Sequence, residues 1–142
     1  NLWYLNKRTL GGEFLSKHQA GTYNSSFVLY NEGINGCGPT WHTTSSNNNV
    51  GFIRNSGFCD TVSWHMLSAI YSNGSMALYV DGVLIATINQ SAIKPTNLPL
   101  IIGGTSISPT SAASDSKMKI DDIGIWNRAL TPSEIQQLYT VI

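Results

Sequence analysis

The fold of this chain is decided by residues Ser75–Thr87, SMALYVDGVLIAT. Apolar residues alternate with other residues on both sides of Asp81-Gly82, and this dipeptide favours a tight turn because both residues tolerate positive φ. Alternation around such a turn is the sequence signal of a β-hairpin. We therefore predict two antiparallel strands here, at Met76–Val80 and Val83–Ile88.

The same pattern of short apolar segments between turn residues continues along the chain, and it predicts an all-β fold. The segment Trp64–Tyr71 is long, and its alternation places Leu67 and Ala69 on one side, with Met66 and Ser68 on the other. The remaining predicted strands are Leu2–Asn6, Glu13–Ser16, Ser26–Tyr30, Thr40–Thr43, Val50–Arg54, Leu100–Ile102 and Met118–Trp126.

One short helix is predicted near the C-terminus. Thr131 is a good N-cap, Pro132 stands at the first helical position, and Glu134 completes a capping box. Leu130 and Ile135 flank the cap as a hydrophobic staple. The predicted role of this helix is structural.

Composition limits the classes of partner. A chain of 142 residues forms one domain, which we assign to residues 1–142. Charged residues make up 11%, against roughly 25% in an average domain. Since the net charge is zero, the chain has no excess positive charge that would attract a phosphate backbone. We therefore expect no nucleic-acid partner. No apolar run approaches the ~20 residues of a membrane span.

The two cysteines allow a disulfide. A hairpin centred on Asn48, within the turn-forming run Ser45–Asn49, would place Cys37 opposite Cys59. In an oxidising compartment they would form a disulfide, and the alternative is two buried free thiols. Three N-glycosylation sequons are compatible with secretion, although a chain this rich in Asn and Ser acquires them by chance nearly as readily.

Four segments of the sequence occur in an order that is typical of a known family. They are Trp64-His65, Leu78–Gly82, Leu100–Gly104 and Ile120–Leu130. As a set they resemble the laminin-G-like, concanavalin A-like lectin/glucanase superfamily. The resemblance implies a jelly roll, that is, a sandwich of two curved antiparallel sheets, here with the short C-terminal helix. Such domains are often used for sugar binding or adhesion, but the fold does not specify a ligand.

The chain departs from this family in two places. Met66 stands where members commonly have a second histidine after the Trp-His pair. Members also usually begin with one or more strands upstream of the segment that matches Trp3–Lys17, and these are absent here. An unpaired sheet edge favours association. We therefore predict that the missing strand comes from another segment or a neighbouring chain, or that a loop covers the edge.

Glycan hydrolysis on this fold requires two closely spaced carboxylates on one face of a strand. Asp121 and Asp122 are adjacent, so on a strand they face opposite sides and cannot act on one bond. The chain also contains no Glu-x-Asp-x-x-Glu motif. We therefore predict a non-catalytic domain, with a fragment or accessory domain of a glycan-active enzyme as the alternative.

A structural calcium ion is the one cofactor that the resemblance implies. Relatives often hold one with an aspartate near the final strand, and Asp121 matches that position. Calcium prefers carboxylate and carbonyl oxygens. The alternative is that Asp121 caps backbone amides beside the loop, and both interpretations stay open at this stage.

Sugar binding requires aromatic faces together with hydrogen-bonding and charged groups. Trp41 and His42 adjoin a polar turn, Arg54 stands on the facing strand, and Tyr79 should point away from Leu78 and Val80, onto a sheet face. With a further aromatic residue in a loop, the predicted ligand-binding residues are Tyr23, Trp41, His42, Arg54 and Tyr79.

Two functional hypotheses follow. The first is a secreted or cell-surface, lectin-like module that binds carbohydrate or glycoprotein without catalysis. The second is a structural or adhesive module whose partner is a protein, completed by another segment or subunit.

Overall fold

A computed structural model describes residues 1–7, 11–19, 22–32, 37–104 and 118–141. These residues form two five-stranded antiparallel sheets and one helix, as predicted, with the strand orders β10-β1-β6-β7-β8 and β5-β4-β3-β2-β9. The elements are β1 (Leu2–Asn6), β2 (Gly12–His18), β3 (Ser25–Glu32), β4 (Gly38–Thr44), β5 (Val50–Arg54), β6 (His65–Ser72), β7 (Ser75–Val80), β8 (Val83–Asn89), β9 (Ile101–Ile102), β10 (Met118–Asp121) and α1 (Pro132–Thr140).

Two two-residue turns form hairpins. Asn73-Gly74 joins β6 to β7 and Asp81-Gly82 joins β7 to β8, and all four residues have positive φ, between 48° and 78°. This backbone twist matches the twist of the paired strands. The hairpin predicted from Ser75–Thr87 is therefore confirmed.

The main hydrophobic core lies between the two sheets. Phe14 occupies a bulge in β2 between Glu13 and Leu15, so that Phe14 and Leu15, although adjacent, both join the core. The Phe14 and Tyr4 rings lie 4.6 Å apart across the layers. The buried members are Leu2, Tyr4, Phe14, Leu15, Leu29, Trp41, Ile53, Leu67, Met76, Leu78 and Val80.

Helix α1 covers the outer face of the β10-β1-β6-β7-β8 sheet. Its capping box forms as predicted: the Thr131 hydroxyl accepts from Glu134 N, and Glu134 accepts from Thr131 N at 2.8 Å. Ile135 packs with Leu130 and with Met66 of β6 in a second buried cluster. The described part of the chain contains no helix long and apolar enough to cross a membrane.

The last strand is shorter than predicted. We expected it to run to Trp126, but β10 ends at Asp121 because Asp122 has φ 47°, in the left-handed region that interrupts a strand. Beyond Asp122, Gly124 still exchanges two backbone hydrogen bonds with Asn1, each 2.9 Å long, and the following residues Ile125 and Trp126 are exposed.

The first strand is not at an edge. Residues Leu2–Asn6 pair with β10 on one side and β6 on the other. Among the described residues the sheet edges are instead β10 and β8 in one sheet, and β5 and β9 in the other. Completion by a neighbouring chain stays a prediction.

The disulfide between Cys37 and Cys59 is confirmed, with the two Cα atoms 5.3 Å apart. The hairpin argument that suggested it was wrong in register. Strands β4 and β5 turn one residue before Asn48, which places Cys37 opposite Gly57, whose amide donates to the Cys37 carbonyl at 2.8 Å. A second turn at residues 55–58 brings Cys59 back to its partner.

His65 has a structural role. Its Nδ1 lies 2.7 Å from Asp81 Oδ2, and its Nε2 lies 3.2 Å from Asp60 Oδ2. The other oxygen of Asp81 accepts from Met66 N at 2.9 Å, and the Phe58 ring meets the imidazole edge-on. These contacts attach the segment between the disulfide and β6 to the β7–β8 turn.

Candidate ligand-binding site

The outer face of the second sheet carries two cross-strand rows of side chains. Trp41 points into the core, so its neighbour His42 on β4 points outward. Residues opposite one another on paired strands share a face. The first row consists of Ser16, Val28, His42 and Phe52. The second row consists of Glu13, Tyr30, Thr40 and Arg54.

Two members of each row, Val28 and His42 of the first and Glu13 and Tyr30 of the second, line a pocket of about 280 Å³ that reaches the loop between β2 and β3. Strands β2, β3 and β4 supply its floor, and the loop supplies one wall. We call it the histidine pocket, and it is lined by Glu13, His18, Gln19, Thr22, Ser25, Val28, Tyr30 and His42.

Two of the polar side chains that line the pocket have oxygens without hydrogen-bond partners. Among the described residues, Glu13 Oε2 and Ser25 Oγ are buried and have no hydrogen-bond partner. Glu13 is 9% exposed and Ser25 3%. Buried polar groups are otherwise almost always paired. The histidine pocket therefore contains hydrogen-bonding capacity that the protein itself does not use.

Burial dominates the electrostatics of this pocket. It raises the pKa of Glu13 and lowers the pKa values of His18 and His42, and the nearby His42 lowers the pKa of His18 further. His18 Nε2 lies 3.2 Å from Glu13 Oε1. Since both pKa shifts favour uncharged forms, desolvation outweighs their mutual attraction, and this contact is not a strong ion pair.

The two histidines should make the fold sensitive to acid. Because their pKa values are lowered, the stability that they contribute is present above about pH 6.5 and is lost as the pH falls through their folded pKa values. Glu13 acts in the opposite sense, since its raised pKa favours the protonated form. We expect His42→Gln to reduce the loss of stability between pH 7.5 and 5, measured as the shift in urea midpoint. An unchanged pH dependence would show that His42 is already solvated.

Three of the five predicted ligand-binding residues lie on this face or at its rim. His42 lines the histidine pocket. Tyr23 follows the lining residue Thr22 and is 62% exposed. Arg54 lies at the far end of the Tyr30 row, where its Nη2 donates to Glu32 Oε2 at 2.9 Å. Together they connect the pocket to the adjoining strand surface.

Two predicted ligand-binding residues are wrong because the structure buries them. Trp41 belongs to the core between the sheets, since the alternation of β4 turns His42 outward instead. Tyr79 does face away from Leu78 and Val80, as predicted, but helix α1 covers that face and Tyr79 packs in the second cluster. Neither ring can stack on a sugar at the outer face.

Sequence reasoning missed Glu13 and His18. The bulge at Phe14 shifts the alternation of β2, so simple counting along the strand misplaces every outward residue on one side of it. The available signal was the closeness in sequence of Glu13, Ser16 and His18, within and just after the predicted strand Glu13–Ser16 and next to a polar loop.

Asp121 caps the backbone. Its Oδ1 accepts from Asp122 N at 2.9 Å, which is the alternative to a calcium ligand. The described residues contain no group of three or more His, Cys, Asp or Glu side chains that could hold a metal ion. Calcium binding stays a prediction.

A laminin G sequence profile, described as concanavalin A-like lectin/glucanases superfamily, matches residues 5–136 of the chain. The chain belongs to this superfamily. The predicted resemblance is thereby confirmed, and so is the jelly-roll architecture. No curated protein sequence matches the chain.

Several solved structures have the same fold as this chain at low sequence identity. The binding domain of Paraclostridial mosquitocidal protein 1 has a TM-score of 0.72 at 16% identity, over 97% of this chain and 35% of that one. A structure of botulinum neurotoxin type C, whose cell entry depends on interaction with two ganglioside molecules, has a TM-score of 0.67 at 18% identity, over 97% of this chain and 34% of that one. A heptameric SAP-like pentraxin from Limulus polyphemus has a TM-score of 0.66 at 12% identity, over 98% of this chain and 67% of that one. The chain thus spans about a third of the length of the toxin structures, and at these identities the likeness shows the fold alone.

Proposed function

We propose that this domain binds carbohydrate, as a free glycan or on a glycoprotein, in the histidine pocket and without catalysis. The observation that carries the proposal is the pair of buried oxygens in this pocket, Glu13 Oε2 and Ser25 Oγ, that have no hydrogen-bond partner among the described residues. A sugar presents many hydroxyl groups, each both donor and acceptor, and therefore matches such a lining.

The surroundings of the pocket also suit a sugar. The exposed Tyr23 ring next to the loop wall offers an apolar surface for the C–H face of a pyranose. Beyond the pocket, Phe52 is 56% exposed on the same face, so a longer glycan would meet a second aromatic ring. The superfamily agrees with a carbohydrate partner.

The carboxylates of this face support binding rather than hydrolysis. Glu13 contacts His18, whereas Glu32 is paired with Arg54. The two carboxylates thus have separate partners on this face and do not form the matched acid and nucleophile that glycan cleavage requires. The toxin relatives described above include a binding domain, and an accessory domain of a glycan-active enzyme fits the same chemistry.

We propose an extracellular or cell-surface location. The Cys37–Cys59 disulfide is the supporting observation, because such bonds form and persist in oxidising environments.

Replacement of Ser25 tests the binding proposal. Because its buried hydroxyl has no partner, Ser25→Ala should leave stability unchanged or raise it by up to about 1 kcal/mol. Retention on immobilised polysaccharide, or signal on a glycan array, should fall about tenfold for the ligands that the native protein binds. The exposed substitution Val62→Ala serves as the matched control. Equal binding by Ser25→Ala and the native protein would contradict this site.

A second candidate function is adhesion through an added strand. A cavity of about 340 Å³ opens between the layers where β6 continues past the end of β1, with Ser68–Tyr71 on one side and Gly124–Leu130 on the other. Among the described residues no strand lies between these two segments. An extended segment in line with β1 would fill this cavity and pair with β6. Native mass measurement tests it, since strand exchange between copies would give a dimer.

A further inference from the structure

We propose that the histidine pocket selects a neutral, hydroxyl-rich sugar whose hydroxyl groups donate to the Glu13 carboxylate, and that it rejects glycans carrying sialic acid, uronate or sulfate. This inference rests on the proposed function and names the ligand class of that same site.

Glu13 sets the donor requirement. One carboxylate oxygen faces His18 Nε2 at 3.2 Å, and the other, Oε2, is buried without a partner among the described residues. An ionised carboxylate accepts hydrogen bonds and donates none. The group that satisfies Oε2 must therefore bring its own O–H or N–H, and a hydrogen bond to a charged acceptor is about twice as strong as a neutral one.

The Ser25 hydroxyl and the two histidines complement this carboxylate. Ser25 can donate or accept a hydrogen bond, and a neutral imidazole offers one donor and one acceptor. Burial lowers the pKa values of His18 and His42, so at neutral pH both rings are uncharged. Such groups match the alternating donors and acceptors of neighbouring sugar hydroxyls, and they supply no positive charge.

An acidic sugar would find no counter-charge in this pocket. The described residues that line it include no lysine or arginine. On the adjoining surface, Arg54 is engaged by Glu32 and lies over the Phe52 ring at 5.8 Å. Lys94 Nζ donates to Tyr23 O and Asn48 Oδ1 at 3.0 and 2.9 Å, and Lys94 does not line the pocket. A ligand carboxylate or sulfate would therefore be desolvated beside Glu13 with no cation among the described lining residues, and the cost of burying that charge provides the discrimination.

The experiment measures affinity for paired ligands that differ in charge alone. Neutral oligosaccharides are compared with their sialylated and sulfated forms by calorimetry or on an array, using the native protein, Glu13→Gln and Asp122→Asn. The last variant removes the same charge at an exposed position outside the pocket. We expect the native protein to prefer neutral ligands, and Glu13→Gln to lose about tenfold in affinity for them while the preference disappears.

The outcomes separate this inference from the proposal on which it rests. Preferential binding of acidic glycans, gangliosides included, that Ser25→Ala weakens would overturn the neutral ligand class and leave the carbohydrate site standing. Neutral-sugar affinity that is unchanged in Glu13→Gln would also overturn the inference. Absence of binding to every glycan would overturn both. A folding check by circular dichroism on each variant ensures that lost binding is not lost structure.

Discussion

Reduction of the Cys37–Cys59 disulfide should lower the free energy of unfolding by about 3 kcal/mol. The bond closes a loop of 22 residues, and the loss of chain entropy in the unfolded state for a loop of that length gives this magnitude. For a domain of this size the melting temperature should fall by about 10 °C. Thermal unfolding with and without dithiothreitol, after thiol titration has confirmed two free thiols, measures the effect.

The double variant Cys37→Ala with Cys59→Ser distinguishes the effect of losing the disulfide from any other effect of dithiothreitol. It should melt at the temperature of the reduced native protein and be insensitive to dithiothreitol. A fully reduced native protein that melts at the temperature of the oxidised form would show that the loop is held by other contacts. The best candidate is the His65 group, in which Asp60 contacts the imidazole just after Cys59.

Replacement of Ile135 by alanine should destabilise the domain by about 3 kcal/mol, as for other buried large-to-small changes. Ile135 is fully buried beneath α1 against Met66, Tyr79 and Leu130. The same change should loosen the helix and expose Tyr79. Urea unfolding measures the stability, and hydroxyl-radical footprinting measures the exposure of the Tyr79 ring.

Ser133→Ala is the matched control, since Ser133 is exposed on the same helix and alanine favours helix. It should leave both the stability and the Tyr79 footprint close to native values. Loss of stability in Ile135→Ala without new modification of Tyr79 would contradict the conclusion that α1 shields that face.

Local chemistry made several elements predictable. The Asn73-Gly74 and Asp81-Gly82 hairpins depend on residues that adopt positive φ, and these lie adjacent in the chain. The capping box of Thr131 and Glu134 likewise involves neighbours three residues apart. In each case the residues whose backbone preferences determine the element are neighbours in the sequence and lie within that element.

The candidate site was less predictable because it depends on two long-range events. The bulge at Phe14 resets the alternation of β2 and brings Glu13 and His18 to the outer face. The docking of α1 removes Tyr79 from the surface of the other sheet. Alternation along a strand indicates which residues share a face, but it does not indicate whether another element covers that face.

By itself, the sequence determined the turns, the alternating strands and the helix start, because these follow from backbone preferences of residues close together in the chain. Only the tertiary structure decided which sheet face stays open and which polar atoms meet there without partners. The reason is physical: burial and unpaired hydrogen-bonding groups are properties of surfaces that come together on folding, and Glu13 of β2 and His42 of β4 line one pocket only because β3 pairs with both strands.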